Sequence, residues 1–233
     1  MSKLSQKSNT KIYDYKLTNI KMNKKDKSKS IVSINQEILQ KANHIFEEFN
    51  NFTEGYRVLF LIQRHKEGGE TNNSKLIKII SRNKVEYYDA LVKLLTEQQE
   101  MHKKNLPTRI YAAVNERDFS KAIRQFKYEQ LEADYYDQVQ KENFYLNIKN
   151  RFIGCLMQPT QKKTSYFLFD IDNHEDIKDT TAEILSIIPN EHIIKLYATK
   201  NGWHLITEPF NYTKLTLPKN CELKKDALLL LAY

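Results

Sequence analysis

Apolar residues recur along the chain at spacings that predict a series of helices and strands. The segment INQEILQKANHIFEEFN, which begins at Ile34, places them three and four residues apart and predicts an amphipathic helix. Further helices are predicted from Lys84 to about Lys103 and from Glu116 to about Val139, the latter capped by Asn115. Continuous apolar runs predict strands at YRVLFLIQR, LIKIIS and RIYAAVN, the first two separated by the loop GGETNNSK.

The last third of the chain is richer in strands. FIGCLM and SYFLFDID predict two of them, and HEDIKDTTAEILSII predicts a helix that Asn173 caps and Pro189 ends. HIIKLYAT and WHLIT predict two more strands, joined at Asn201-Gly202 by a tight hairpin, and ALLLLAY predicts a last strand. This order predicts an α+β fold with a mainly antiparallel sheet, similar to that of an RNA-recognition module.

Positive charge is concentrated at one end of the chain, whose net charge is +8. Residues 1–30 contain nine lysines, Lys24 and Lys25 among them, and only two acids. A cationic segment of this kind neutralises phosphates, so we expect a flexible basic tail that binds nucleic acid without sequence preference. The alternative is a tail that only keeps the protein soluble.

Composition excludes several other classes of protein. The chain is 40% hydrophobic and 28% charged, as a globular domain is, and no apolar stretch reaches the roughly 20 residues of a membrane helix. The N-terminus lacks the apolar segment of a signal peptide. Cys155 and Cys221 lie far apart and without zinc-ligand spacing. We therefore expect an intracellular, cytoplasmic protein with no membrane partner, no disulfide and no structural zinc.

Two aspartates end the most apolar strand of the last third. Asp170 and Asp172 alternate with Ile171, so both side chains leave the strand on the same side. Two like charges at this spacing repel each other unless a cation lies nearby, and oxygen ligands suit hard divalent cations. The alternatives are that a lysine or arginine neutralises the pair, or that both side chains are simply solvated.

Two further motifs follow this strand. In ATKNGWHLIT, His204 lies two residues past the glycine of the predicted hairpin, and Lys200 lies before the turn. In KKDALLLL, Asp226 directly precedes an apolar run. A strand–helix–strand unit separates Asp172 from His204, which is enough chain to bring them side by side in one sheet.

The ordered set FLFDID, TKNGWHLI and KKDALLLL resembles the three motifs of the archaeo-eukaryotic primase superfamily, especially the small primase-polymerases of phages and mobile elements. Upstream, RVLFLIQRHKEGG and RIYAAVNERDFSKAIRQFK resemble the module that precedes the catalytic sheet in these proteins. The resemblance covers roughly Asn35 to Tyr233. One position departs from the family: its second motif is Ser-x-His, and this chain has Gly202 in place of the serine.

The resemblance implies a site and its chemistry. Asp170, Asp172 and Asp226 would be the catalytic acids and would hold two Mg²⁺ or Mn²⁺ ions, which stabilise both ends of a nucleotidyl transfer. His204 would contact the phosphates of the incoming nucleotide, with Lys200 as a second contact. The template would lie along the basic tail, at Lys24 and Lys25, and on Arg117 and Arg124, although a solvated helix face is the alternative for those two arginines.

The resemblance also implies an organisation and partners. After the tail at 1–30, residues 31–150 would form an N-terminal helix and strand module, packed with an RNA-recognition-like catalytic module at 151–233 to make one primase-polymerase core. The expected partners are a single-stranded nucleic-acid template, nucleoside triphosphates and a separately encoded helicase. The expected function is template-directed synthesis of DNA or RNA during replication.

Two other functions fit the same sequence. One is a non-catalytic module that grips single strands, with aromatic residues such as Tyr166 and Trp203 stacking on bases. The other is a metal-dependent nuclease, because carboxylate clusters also serve phosphodiester hydrolysis.

Overall fold

The computed structural model describes residues 36–47, 55–63, 76–135, 138–172, 177–199 and 201–233. Several positions singled out in the sequence lie outside these ranges, namely the lysine-rich tail with Lys24 and Lys25, the GGETNNSK loop, Asn173 and Lys200.

The described residues form six α-helices and eight strands, which confirms the α+β class. The first half contains α1 (Gln36–Glu47), β1 (Arg57–Gln63), β2 (Leu76–Ser81), α2 (Lys84–His102), β3 (Thr108–Ala113) and α3 (Phe119–Tyr135). The second half contains α4 (Gln138–Leu146), α5 (Ile148–Met157), β4 (Phe167–Asp172), α6 (Ile177–Ile187), β5 (Ile193–Ala198), β6 (Gly202–Thr207), β7 (Cys221–Lys224) and β8 (Leu228–Ala232). Within these ranges, no helix has both the length and the apolar content needed to cross a membrane.

The strands form two antiparallel sheets of four. The first sheet has the order β2-β1-β3-β8 and the second the order β5-β6-β4-β7. The last strand of the chain, β8, pairs with β3 and so completes the first sheet instead of the second. The segment 151–233 therefore supplies all of one sheet and one strand of the other.

Each face of the first sheet is covered by helices. On one face, Leu59 and Ile110 join a core that includes Leu91 of α2 and Leu39 of α1. On the other face, Val58 and Phe60 pack with residues of α3 and α5. This arrangement buries both faces, which explains why β1 reads as a continuous apolar run.

The second sheet has two different faces. On one of them, Phe169 and Leu205 pack against Ile184 of α6. On the other, Leu168 and Ile206 join the core that the first sheet shares with α1 and α2. Because side chains alternate along a strand, Asp170 and Asp172 leave β4 on the Leu168 side.

The structure corrects two element predictions. FIGCLM is not a strand but the second half of α5, whose buried Ile153 and Leu156 lie three residues apart and face α3. A short apolar run does not by itself distinguish a strand from a buried helix segment. The third helix begins at Phe119, because the carboxylate of Asp118 accepts the Lys121 N–H at 3.0 Å and takes the capping role expected of Asn115.

Candidate functional site

A row of four polar side chains crosses the second sheet. Tyr197 on β5 lies opposite His204 on β6, which lies opposite Asp170 on β4, which lies opposite Glu222 on β7. Residues directly opposite each other in antiparallel strands project to the same face, so the register alone brings these four together. We call this set the Asp170 row.

Asp170 is the centre of the row, and both of its carboxylate oxygens have partners. Oδ1 lies 3.2 Å from Nε2 of His204, and Oδ2 accepts a hydrogen bond of 2.6 Å from Nζ of Lys224. Lys224 follows Glu222 by two residues on β7, so it shares the same face, and its Nζ lies 3.2 Å from Oε2 of Glu222. A single ammonium group therefore lies between two carboxylates.

His204 is held by protein groups on both ring nitrogens. Its Nδ1 lies 2.8 Å from the hydroxyl of Tyr197, and its Nε2 faces Asp170. The Tyr197 ring meets the imidazole edge-on at 5.3 Å, and His204 is only 7% exposed. The sequence leads us to expect a phosphate contact from His204, whereas in this geometry the imidazole orients the carboxylate of Asp170.

The electrostatics of the row keep Asp170 ionised. The hydrogen bond from His204 holds the pKa of Asp170 well below its ordinary value, against the opposing effect of partial burial, and Lys224 adds to the lowering. Burial lowers the pKa of Lys224, but its pairing with Asp170 and Glu222 outweighs this and raises it overall. Burial, reinforced by the negative charge of Asp170, raises the pKa of Tyr197, so its hydroxyl stays protonated.

Asp172 lies outside the Asp170 row, two residues beyond Asp170 on the same face of β4. It is the last residue of β4, it is exposed, and Gly202 lies opposite it, so no side chain covers it from β6. Its backbone N–H donates to the carbonyl of Asn220 at 2.8 Å. Within the described ranges its carboxylate has no hydrogen bond or ion pair.

Asp226 does not join the two aspartates of β4. Its Oδ1 lies 2.5 Å from Nη2 of Arg117, and its Oδ2 accepts a hydrogen bond of 3.1 Å from Nη1. Arg117 is fully buried and also donates to the carbonyl of Gln158 at 3.4 Å. Among the residues that the structure describes, no group of three or more His, Cys, Asp or Glu side chains could hold a metal ion.

Arg117 is held in place by hydrogen bonds of its backbone as well as of its side chain. Its backbone exchanges hydrogen bonds of 3.0 and 2.7 Å with Tyr56, and it also bridges to Lys162. A side chain buried in this way cannot reach a nucleic-acid strand, which corrects the template contact expected of Arg117. Arg124, by contrast, is exposed on α3, and its contact with nucleic acid stays a prediction.

The two residues before Arg117 are buried as well. The side chain of Asn115 accepts the Tyr166 N–H at 2.6 Å and donates to the carbonyls of Tyr166 and Lys225 at 3.2 Å. Glu116 forms a fully buried ion pair with Arg57, with 3.6 Å between Oε1 and Nη2. The triplet Asn115–Arg117 thus ties the end of β3 to the residue before β4 and to the turn before β8.

The two aspartates of β4 fit one divalent cation better than the two cations that the sequence leads us to expect. They leave one strand on the same face, one of them stays ionised, and the other is open to solvent. Mg²⁺ needs only one or two carboxylates when substrate phosphates supply further oxygens. The third acid expected for a second ion, Asp226, is already bidentate to a buried guanidinium.

Sequence reasoning missed three members of this site, namely Tyr197, Glu222 and Lys224. The signal for the last two was the segment CELK, in which Glu222 and Lys224 are two residues apart and so share one face of any strand. The two aromatic residues suggested for base stacking, Tyr166 and Trp203, are both half-buried against apolar cores.

Comparison with known proteins adds no relative: no protein-family model, no curated protein and no solved structure matches the chain.

Proposed function

We propose that this chain is a metal-dependent nucleotidyltransferase of the primase-polymerase type, which uses nucleoside triphosphates and a single-stranded template. Its catalytic module would be the second sheet, an RNA-recognition-like sheet whose Asp170 face is the active surface. The observation that carries the proposal is the in-register pairing of Asp170 with His204 on neighbouring strands. These two residues come from the first and the second of the motifs that resemble the family.

The chain's own residues would each have a defined part in the reaction. Asp170 and Asp172 would hold one Mg²⁺ or Mn²⁺ ion, which supplies charge stabilisation at the reacting phosphate. Tyr197 and His204 keep the carboxylate of Asp170 in one orientation, and their hydrogen bonds are already made in this structure. Lys224, whose Nζ lies 2.6 Å from Oδ2 of Asp170, would provide a positive charge for the phosphates.

Asp226 would have a positioning role in this proposal. By binding Arg117 it fixes the turn between β7 and β8, and the same turn includes Lys225, whose carbonyl binds Asn115. β7 carries Glu222 and Lys224, so the pair would set where these two side chains lie on the Asp170 face.

A nucleotide-incorporation assay tests the proposal. A labelled primer annealed to a template, and a template alone, are incubated with Mn²⁺ and either ribo- or deoxynucleoside triphosphates. Extension or synthesis that is lost in Asp170→Asn supports the polymerase function. Asp89→Asn is the matched control, because Asp89 is exposed on α2 and lies off the Asp170 face. Shortening of the strand instead of extension would identify a nuclease.

One observation favours a second candidate, the non-catalytic nucleic-acid-binding module. Lys224 and Arg117 neutralise two of the three acids that the family uses. A chain that had lost catalysis could keep such pairs, because they satisfy the charges without a metal ion. If single-stranded DNA binds equally well to the wild type and to Asp170→Asn, with and without Mn²⁺, and neither synthesises nor cuts, the binding module is the function.

A further inference from the structure

The ammonium group of Lys224 occupies the position beside Asp170 at which a cation would bind. Nζ lies 2.6 Å from Oδ2 of Asp170 and 3.2 Å from Oε2 of Glu222. Lys224 is the last residue of the edge strand β7, and its side chain is 35% exposed. Glu222 is 72% exposed, so the ammonium group lies at the solvent-facing side of this carboxylate pair.

A divalent cation on Asp170 and the ammonium group of Lys224 would compete for the same oxygen. Two positive charges within a few ångströms repel each other, and the repulsion is stronger near a protein surface than in bulk water. The four-carbon stem of a lysine has free rotors, so its charged end can move without moving the strand. Asp172, which is exposed and lies opposite Gly202, projects from the same face.

We propose that Lys224 is an exchangeable cation of this site. It neutralises Asp170 while the site is without nucleotide, leaves Asp170 when a divalent ion binds with a triphosphate, and then contacts the phosphates. This inference rests on the proposed nucleotidyltransferase function and adds to it a residue that links metal binding to nucleotide binding. Among the described members of the Asp170 row, Tyr197 and His204 do not compete for this role, because they are bound to each other.

The proposal predicts the direction in which removing Lys224 changes Mn²⁺ binding, with and without nucleotide. Without nucleotide, Lys224 opposes the metal ion, so its removal strengthens Mn²⁺ binding. With nucleotide, Lys224 contributes to binding of the phosphates. Its removal therefore reduces the extent to which the triphosphate strengthens Mn²⁺ binding and Mn²⁺ strengthens triphosphate binding. Because coupling between two ligands is reciprocal, either ligand can be titrated.

The test is a Mn²⁺ titration of the full chain, with free Mn²⁺ measured by electron paramagnetic resonance. It is carried out with and without a non-hydrolysable nucleoside triphosphate. Lys224→Met keeps the length of the side chain and removes its charge. We expect it to bind Mn²⁺ about tenfold more tightly than the wild type without nucleotide and to lose most of the enhancement that the triphosphate produces.

Two controls separate the effect from a general loss of positive charge. Lys225→Met removes the adjacent lysine, which stacks on the ring of Tyr212 at 4.2 Å and does not contact Asp170, so both affinities should stay at the wild-type values. Lys224→Arg keeps the charge, and should bind Mn²⁺ no more tightly than the wild type. Near-ultraviolet circular dichroism checks that each variant is folded.

The result that overturns the inference is a Mn²⁺ affinity of Lys224→Met, without nucleotide, that is equal to or weaker than that of the wild type. If the wild type synthesises strands and binds Mn²⁺ while Lys224→Met shows this result, the role of Lys224 is refuted and the proposed function stands. If the wild type neither binds Mn²⁺ nor incorporates nucleotides, the proposed function fails, and the role of Lys224 fails with it.

Discussion

The hydroxyl of Tyr197 holds the His204 ring in one orientation. It lies 2.8 Å from Nδ1 of His204 and 3.5 Å from the carbonyl oxygen of Leu230, while Nε2 of His204 lies 3.2 Å from Oδ1 of Asp170. Tyr197 therefore influences Asp170 through His204. Metal enzymes use the same arrangement, in which an outer residue orients a histidine that in turn contacts the metal site.

Under the proposed function, we expect Tyr197→Phe to lower the kcat of nucleotide incorporation by about 10- to 100-fold with little change in the KM for the triphosphate. The reason is that the imidazole loses the partner that fixes its orientation. The measurement is steady-state incorporation, with Tyr88→Phe on α2 as the control, because Tyr88 is partly exposed and far in sequence from the row. A change in KM alone would contradict this role.

The charge of Asp170 predicts how the stability of the fold changes at acid pH. The pKa of Asp170 is lower in the folded chain than its ordinary value, chiefly through His204, so the ionised carboxylate stabilises the fold at neutral pH. That contribution is present above about pH 4, the ordinary value for an aspartate, and is lost as the pH falls toward the folded value.

Asp170→Asn lacks this titration. We expect its urea midpoint to fall less steeply below about pH 4 than that of the wild type. Asp172→Asn is the control, since the Asp172 carboxylate has no ion pair among the described residues. Parallel curves for the wild type and Asp170→Asn would show that the His204 and Lys224 contacts do not stabilise the fold.

At the scale of elements, two glycines offer a matched test of packing. A Cβ added at Gly55, just before β1, would lie 2.3 Å from Oε2 and 2.6 Å from Cβ of Glu116. Glu116 cannot easily move away, because it is buried and paired with Arg57. A Cβ added at Gly154 in α5 meets no atom within 4 Å.

We therefore expect Gly55→Ala to lower the free energy of unfolding by about 1–3 kcal/mol, as overpacking does. Gly154→Ala should raise it by up to about 1 kcal/mol, because alanine is the better helix former. Urea denaturation of both variants measures the two changes in the free energy of unfolding. Equal stability of the two would mean that the segment before β1 moves to make room.

The elements show where sequence patterns are informative. Long helices such as α2 could be predicted because their apolar positions recur at helical spacing, and strands such as β1 because they contain an uninterrupted apolar run. The strand β7 could not, because it has four residues and lies at a sheet edge. β8 was predicted as a strand, but its run of leucines is apolar on both faces and gives no indication of which sheet it joins.

At the scale of the whole molecule, the site was predicted only in part. The sequence predicts that the acids of β4 and His204 meet in one sheet, but it places Asp172 beside the histidine, whereas the register puts Asp170 opposite His204 and Gly202 opposite Asp172. The partner of Asp226 could not be predicted, because Arg117 lies 109 residues away and reaches it through the packing of the triplet Asn115–Arg117. Such long-range polar contacts leave no periodic trace in a sequence.

The Arg117–Asp226 pair gives a prediction at this scale. Removing one partner of a buried ion pair leaves the other charge uncompensated, which costs about 3–5 kcal/mol. We expect Asp226→Asn to lose stability at the lower end of this range, because its side chain is 17% exposed, while the folded fraction keeps most of its activity. Under the proposed function, Asp170→Asn should lose activity entirely while losing less stability than Asp226→Asn, because its side chain is more exposed.

Urea denaturation and incorporation assays on the same preparations separate the two variants. If Asp226→Asn were as stable as the wild type but inactive, Asp226 would be a catalytic acid after all, and its pairing with Arg117 would have to open during the reaction.

The pairing of β8 with β3 also has a consequence for synthesis on the ribosome. β3 has β1 on one side, but its other edge stays bare until residues 228–232 have emerged, more than a hundred residues after β3 itself. Unpaired strand edges readily join other chains. The nascent chain therefore has an unpaired sheet edge, prone to aggregation, for much of its translation. Slower elongation or a scarcity of chaperones should lower the yield of folded protein.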